Sequence, residues 1–209
     1  MKLSIIVPTL DGSVPESLSR AVEGCEDVEV IVVKGVSPVG KARNEGLARA
    51  TGEYIAWVDA DDEVTPEWLP SILEAIDTSS PDVITFDAAR IGWAGDSTDV
   101  VWRERRPSVE RLLYSAYQAI ERMCSMWLFV SKGELWKDLW FDEDAVICED
   151  YFILPKFVGR AKSLTYIPKK IYRYISHETS LVHRYGFTGD PRVMEMRRRY
   201  VAEAPRKYR

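Results

Sequence analysis

Tyr54-Ile-Ala-Trp-Val-Asp59-Ala-Asp61-Asp62-Glu63 is the stretch on which the reading of this 209-residue chain turns. Its first five residues are apolar, the length and composition of a buried strand. Four carboxylates then occupy five positions. Two like charges about 4 Å apart cost about 4 kcal/mol at an effective dielectric near 20, so acids placed this way either face solvent or hold a hard cation. Mg2+ or Mn2+ suits one or two carboxylates, with substrate phosphate oxygens and water completing the shell. Acids ahead of Thr65-Pro66 also favour a helix N-terminus, and the cluster taken alone supports both readings.

Outward from this stretch the chain alternates strand and helix patterns. Upstream, Leu3-Ser-Ile-Ile-Val7 is an apolar run closed by Pro8, and Val28-Glu-Val-Ile-Val-Val33 is a second. Between them Ser13 and Glu16 stand at capping-box spacing, and Leu18, Ala21, Val22 and Cys25 share one helix face. A helix is expected from Gly40 to Arg49. Downstream, Thr65-Pro66-Glu67 supplies a cap residue and a first-turn proline for a helix that buries Leu69, Ile72, Leu73 and Ile76. Val83-Ile-Thr-Phe86 reads as a fourth strand. Strands separated by helices of this length predict an α/β fold with a parallel sheet and right-handed crossovers. Ligands bind beyond the carboxyl ends of such strands, which directs attention to the polar residues after strands one, two and three.

The second half is less regular. Val100-Val-Trp-Arg-Glu reads as an exposed strand and Ser108 to Met123 as a helix facing Leu112, Leu113, Ala116 and Ile120 inward. Ser125 to Phe141 is rich in tryptophan (Trp127, Trp136, Trp140). The acidic segment Glu143–Asp150 follows, then a strand at Ile171–Ile175. With no internal repeat and no low-complexity linker, the expectation is one domain over 1–183, made of a nucleotide-binding half (1–90) and an acceptor-binding half (91–183). A basic helical tail over 184–209 completes it.

Composition bounds the function. The chain is 46% hydrophobic and 29% charged with a formal charge of −5, which excludes disorder and argues against general nucleic-acid binding. From Arg184 to Arg209 eight Lys/Arg stand against three Asp/Glu. That tail implies contact with anionic lipid, hence a peripheral membrane association, or else a solvated terminal helix. No apolar run is long enough to span a bilayer, and the segment after Met1 is too short and too weakly basic for a leader. Cys25, Cys124 and Cys148 lack metal-ligand spacing and read as reduced thiols in a cytoplasmic protein.

The ordered set Lys41-Ala-Arg43-Asn44-Glu-Gly46, Gly52-Glu-Tyr54-Ile and Asp59-Ala-Asp61-Asp62, after an opening Ser4-Ile-Ile-Val-Pro8-Thr9, resembles the signature of family 2 glycosyltransferases. The likeness is close over 3–76 and looser to about 183. It implies a GT-A fold, with a Rossmann-like, mostly parallel central sheet flanked by helices and a smaller irregular acceptor-side region. It also implies an inverting, metal-dependent transferase that moves sugar from a nucleotide-diphosphate sugar, foremost a UDP-sugar, to a hydroxyl of a saccharide or lipid-linked acceptor.

By the same resemblance Thr9 lines the base, Arg43 lies near base and phosphates, and Asp59 and Asp61 contact ribose and Mn2+ or Mg2+. Asp62 stands behind them. Gly46 and Gly52 read as packing and turn residues. Where relatives end strand two with an acid that reads the base, this chain has Lys34. A lysine accepts no hydrogen bond, so either Asp11 substitutes, or the base is read differently, or donor binding is weakened. Cys148-Glu149-Asp150 matches the family's Glu-Asp pair, with Asp150 as general base and Glu149 orienting it or serving in its place. His177 and His183 are candidates for the metal shell or a phosphate contact, and Arg173 for the diphosphate. Trp127 and Trp136 are candidates for an acceptor platform. The competing readings are a sugar-phosphate nucleotidyltransferase, which would want a basic Gly-rich loop after strand one, a catalytically weak nucleotide-sugar-binding protein, and a phosphoacceptor domain.

Overall fold

The apolar run at the N-terminus becomes an inner strand of a sheet because nothing in it needs water: Leu3, Ile5, Ile6 and Val7 are all fully buried. A computed structural model of the chain describes residues 1–92, 96–100, 107–118, 125–145, 147 and 149–178, with 191, 195 and 198. In chain order the elements are β1 (Leu3–Thr9), α1 (Glu16–Val22), β2 (Val28–Lys34), α2 (Val39–Arg49), β3 (Tyr54–Trp57), β4 (Glu63–Val64), α3 (Trp68–Ser79) and β5 (Val83–Ile91). Then come β6 (Ser97–Val100), α4 (Val109–Gln118), β7 (Phe129–Lys132), α5 (Glu149–Val158) and β8 (Leu164–Ile175).

The strands form one sheet in the order β2-β1-β3-β7-β5-β8-β4, with β6 added on β5. β1 pairs in parallel with both β2 and β3, and β5 pairs in parallel with β8. The short β7 runs antiparallel between β3 and β5, so those two still point the same way. The α/β class is the one the strand–helix alternation predicts, but the sheet is mixed rather than mostly parallel: β3–β7, β5–β7, β5–β6 and β4–β8 are antiparallel. The insertion of β7 is a part the alternation does not predict.

Two glycines let the layers meet. A Cβ on Gly46 of α2 would lie 2.3 Å from Ile6 Cγ2, and one on Gly52 would lie 2.5 Å from the Ser4 amide nitrogen. Any side chain at Gly46 would push α2 off β1. Beneath the sheet Trp57 packs edge-on against Trp136 and Phe141, with ring centroids 5.2 Å and 5.3 Å away.

Two expected caps do not form. Ser13 turns its hydroxyl to Thr9 rather than to α1, which starts after Pro15 with no side-chain cap. Thr65 stays extended, donating its amide to the Ile171 carbonyl at 2.9 Å, and α3 begins three residues later. β8 holds the Thr65 amide, while its hydroxyl is buried without a hydrogen-bond partner among the described residues and caps nothing. Of the expected strand at Val100–Glu104 only Val100 falls among the described residues, as the end of β6. The Ala116 and Ile120 side chains, expected to face inward, together with Cys124, Cys148, His183 and nearly all of the basic tail, lie outside them.

Candidate active site

The registers bring the polar strand ends to one rim. Thr9 pairs with Lys34 across β1–β2, and Ile6 pairs with Trp57 across β1–β3, which places Asp59 just past the sheet beside Thr9. The turn 59–62 then leads straight into β4, whose Glu63 and Val64 pair with Arg173 and Tyr172 of β8. The acid cluster is thus suspended between the first parallel unit and the last strand.

Within that turn the carboxylates separate by environment. Asp61 is exposed, with 62% of its side-chain surface open, and its Oδ2 lies 4.0 Å from His177 Nε2. The surrounding protein, and after it the charge of Asp59, raises the Asp61 carboxyl above its usual range, while His177 pulls it down. The His177 Nε2 atom is buried and has no hydrogen-bond partner among the described residues. Asp62 is only 2% exposed. Its Oδ2 accepts from the Tyr172 hydroxyl at 2.7 Å and its Oδ1 from the Ile175 amide at 2.8 Å. Burial foremost, then the Asp59 charge, pushes this carboxyl up to about 9 against those two donors. The Tyr172 oxygen in turn accepts the Asp59 amide at 3.1 Å.

Arg43, 3% exposed on α2, is the centre of the second cluster. Its Nη2 donates to Asp59 Oδ1 at 3.2 Å, and its Nη1 donates to Asp150 Oδ1 at 2.6 Å and to Glu149 Oε1. Burial opposes its charge, but the carboxylates of Asp150, Glu149 and Asp59 more than offset that and keep it protonated. Asp150 Oδ2 accepts the Met126 amide at 3.2 Å. Burial pushes the Asp150 carboxyl well above its usual range; Arg43 draws it back, and the negative charges of Glu149 and Asp59 push it further up. Glu149 and Asp150 open α5, as the acidic pair predicts. Asn44, next to Arg43, brackets the backbone of Phe141 with both ends of its amide, at 3.1 Å and 2.8 Å, and holds the loop before α5 against α2.

The third group is a corner after β1. The Thr9 hydroxyl donates to Asp11 Oδ1 at 3.0 Å and accepts the Gly12 amide, and the Ser13 amide donates to the same Asp11 oxygen at 2.8 Å. These donors, Ser13 first, hold the exposed Asp11 carboxyl down at about 2. Gly12 has φ +94°, and a Cβ there would lie 3.0 Å from Lys34 Cδ, so the lysine stem crosses the corner.

The remaining sequence candidates fall elsewhere. Arg173 pairs with Glu63 at 3.1 Å on an exposed edge. Trp127 and Trp136 are 5% and 6% exposed. Trp127 stacks on Tyr172, and Trp136 donates its indole N–H to Ser131. They are core side chains, and the acceptor-platform expectation does not hold for them. Sequence reasoning passed over Tyr172 and the Met126 amide. Tyr172 lies in a strand-like Tyr-Arg-Tyr run with nothing to mark its hydroxyl as buried, and a backbone amide leaves no trace in residue type.

Among the described residues no set of three or more His, Cys, Asp or Glu side chains converges as a complete metal cage. The donors that do meet, a carboxylate and an orphaned imidazole nitrogen with a second carboxylate next to them in the turn, fit a hard or borderline divalent ion that takes its other ligands from phosphate and water.

A sequence model of glycosyl transferase family 2 matches residues 4–133, and the chain belongs to that family. Among curated proteins it is 26% identical over 162 residues to the uncharacterized glycosyltransferase YibD of Escherichia coli, covering 69% of this chain and 45% of that protein. It is likewise 26% identical over 163 residues to the putative glycosyltransferase EpsH of Bacillus subtilis, covering 70% of this chain and 44% of that protein. The chain therefore spans under half the length of these relatives. Among solved structures, S. aureus TarS 1-349 in complex with UDP-GlcNAc superposes with a TM-score of 0.67 at 21% identity, over 100% of this chain and 68% of that one. Glucosyl-3-phosphoglycerate synthase of Mycobacterium tuberculosis, crystallised with Mn2+, UDP and phosphoglyceric acid, superposes at 0.57 and 16% identity, over 95% of this chain and 78% of that one. These two likenesses establish the fold.

Proposed function

We propose that this domain transfers a sugar from a nucleotide-diphosphate sugar to an acceptor hydroxyl, with a divalent ion and with inversion. UDP-sugars are the foremost donors, and a saccharide or lipid-linked alcohol is the acceptor. The observation that carries the reading is Arg43: one guanidinium spans Asp59 at the strand-three rim and the Glu149–Asp150 pair opening α5. A metal-side acid and a candidate base are thereby held across a single site, although they come from opposite halves of the chain.

Electrostatics supports the rest. Asp59, Glu149 and Asp150 surround one buried cation and Asp61 adds its carboxyl from the same turn as Asp59, so an incoming diphosphate meets net negative charge and needs a counter-ion to sit there. Asp61 and His177, with Asp59, would hold Mn2+ or Mg2+. When bound, the ion supplies charge neutralisation of the leaving diphosphate. TarS and the glucosyl-3-phosphoglycerate synthase, which share the fold, were crystallised with UDP-GlcNAc and with Mn2+ and UDP respectively.

This chain's own residues account for the acceptor side. Asp150 takes the acceptor proton as the new bond to the sugar's anomeric carbon forms and the bond to the diphosphate oxygen breaks. Arg43 and the Met126 amide orient its two oxygens. Its partial burial makes it a stronger base than an exposed aspartate, while Arg43 favours the ionised form it must start from. Thr9, Asp11 and Lys34 form the corner available to the nucleotide. Lys34 there offers a donor to base carbonyls, where an acid would offer an acceptor.

The test is Asp150→Asn assayed against a panel of nucleotide sugars. Thermal shifts with donor and Mn2+ are expected to match wild type, while transfer or donor hydrolysis falls by about 10²–10⁴-fold. Undiminished turnover in that variant would refute the base assignment. A panel with no Mn2+-dependent shift in the wild type would refute the donor reading.

A further inference from the structure

Asp62 is a buried carboxylate for which the chemistry above has no use. Its side-chain partners sit on β8, 110 and 113 residues away, and both of its oxygens are committed to them. The Tyr172 hydroxyl closes a circuit, donating to Asp62 and accepting from the Asp59 amide. The Tyr172 ring is itself fixed, fully buried and stacked on Trp127 at 4.6 Å between centroids and 6° between planes. Immediately beyond, Ser176 donates its amide to the Ile91 carbonyl at 2.8 Å, and the next residue, His177, arrives 4.0 Å from Asp61.

The other ties between the acid turn and this strand end are weak. The β4–β8 pairing is two residues long. The Arg173–Glu63 ion pair is about half exposed on both sides, and such pairs contribute little. The buried circuit is the strong tie, because every group in it would otherwise be left without a hydrogen bond in a low-dielectric interior.

We propose that Asp62 and Tyr172 are positioning residues: their clasp fixes the strand end that carries His177 against the turn that carries Asp59 and Asp61, and so sets the spacing of the metal-side donors before any ligand arrives. This rests on the reading of Asp61 and His177 as metal ligands.

Two variants probe the clasp. Tyr172→Phe keeps the ring on Trp127 and removes both hydroxyl bonds. Asp62→Asn keeps an acceptor for the Ile175 amide and disturbs only the Tyr172 side. Amide exchange over 172–177 in metal-free protein, and Mn2+ affinity in the presence of UDP by electron paramagnetic resonance, are the readouts. In Tyr172→Phe, exchange at Ile175 is expected to quicken about tenfold and Mn2+ affinity to fall about tenfold. Asp62→Asn should show smaller changes in the same direction. His177→Ala, the control, should lose Mn2+ affinity with exchange at Ile175 unchanged. Wild-type Mn2+ affinity in both clasp variants overturns the proposal, whether or not exchange quickens, because the circuit would then serve stability alone. A wild-type protein with no Mn2+ affinity overturns the metal reading instead and this inference with it.

Discussion

The corner after β1 and the knot around Arg43 are both built from carboxylates and donors, yet they are opposite kinds of construction. In the corner, Thr9, Asp11 and Ser13 satisfy one another across two to four residues, and the acid is exposed. In the knot, Arg43 reaches partners 106 and 107 residues away, and Arg43 and Glu149 are nearly sealed from water. The first forms wherever the local sequence is present; the second exists only once both halves have docked. A site assembled this way has a local corner that tolerates change and a buried cluster that doubles as the bolt between halves.

Breaking the bolt should have the largest effect. Arg43→Met leaves three carboxylates without their cation, two of them deeply placed, and is expected to destabilise the fold by about 3–5 kcal/mol in urea unfolding. Arg43→Lys, which cannot fork to both sides, should fall between. A methionine variant as stable as wild type would mean the knot is no bolt.

At the exposed end of the acid turn the expected effect is on binding alone. Asp61→Ala should weaken Mn2+-dependent nucleotide binding about 10–100-fold with the unfolding midpoint unmoved, because its side chain is mostly open to solvent. A change in stability matching the change in binding would count against the separation drawn here.

The corner should respond least. The Asp11 carboxyl sits at about 2 in the fold, below the ordinary aspartate value, so its contribution is complete above pH about 4 and lost as pH falls through about 2. Asp11→Asn keeps the acceptor oxygen and removes the charge. It should shift the unfolding midpoint slightly at pH 7, and that difference should vanish on acidification to about pH 2. A difference that persisted or grew at low pH would place the carboxyl's role somewhere other than its ionised form.

The same contrast explains what could be read in the sequence. β1, β2, α2, β3 and the start of β5 announce themselves through apolar period and length, and the acid turn and the Glu149–Asp150 helix opening through residue type. Periodicity reports which residues are buried but not which strand lies beside which, so β7 between β3 and β5 could not be read. Nor could Arg43's partners, since a guanidinium among phosphates and one among carboxylates look alike along a chain. The Ser13 cap failed for a related reason, since a neighbouring hydroxyl offered it another partner, whereas Thr65 is held by its amide against a distant strand and its hydroxyl caps nothing.

The placement of β7 reaches beyond catalysis. Four residues from the later part of the chain form the seam joining the early parallel strands to β5 and β8, so the sheet has no internal border at which the first and second halves of the chain could be exchanged as cassettes. A hybrid that took its second half from a relative would install a foreign strand at the centre of its own sheet. Diversification of such a scaffold therefore has to proceed through loops and side chains, leaving that seam in place.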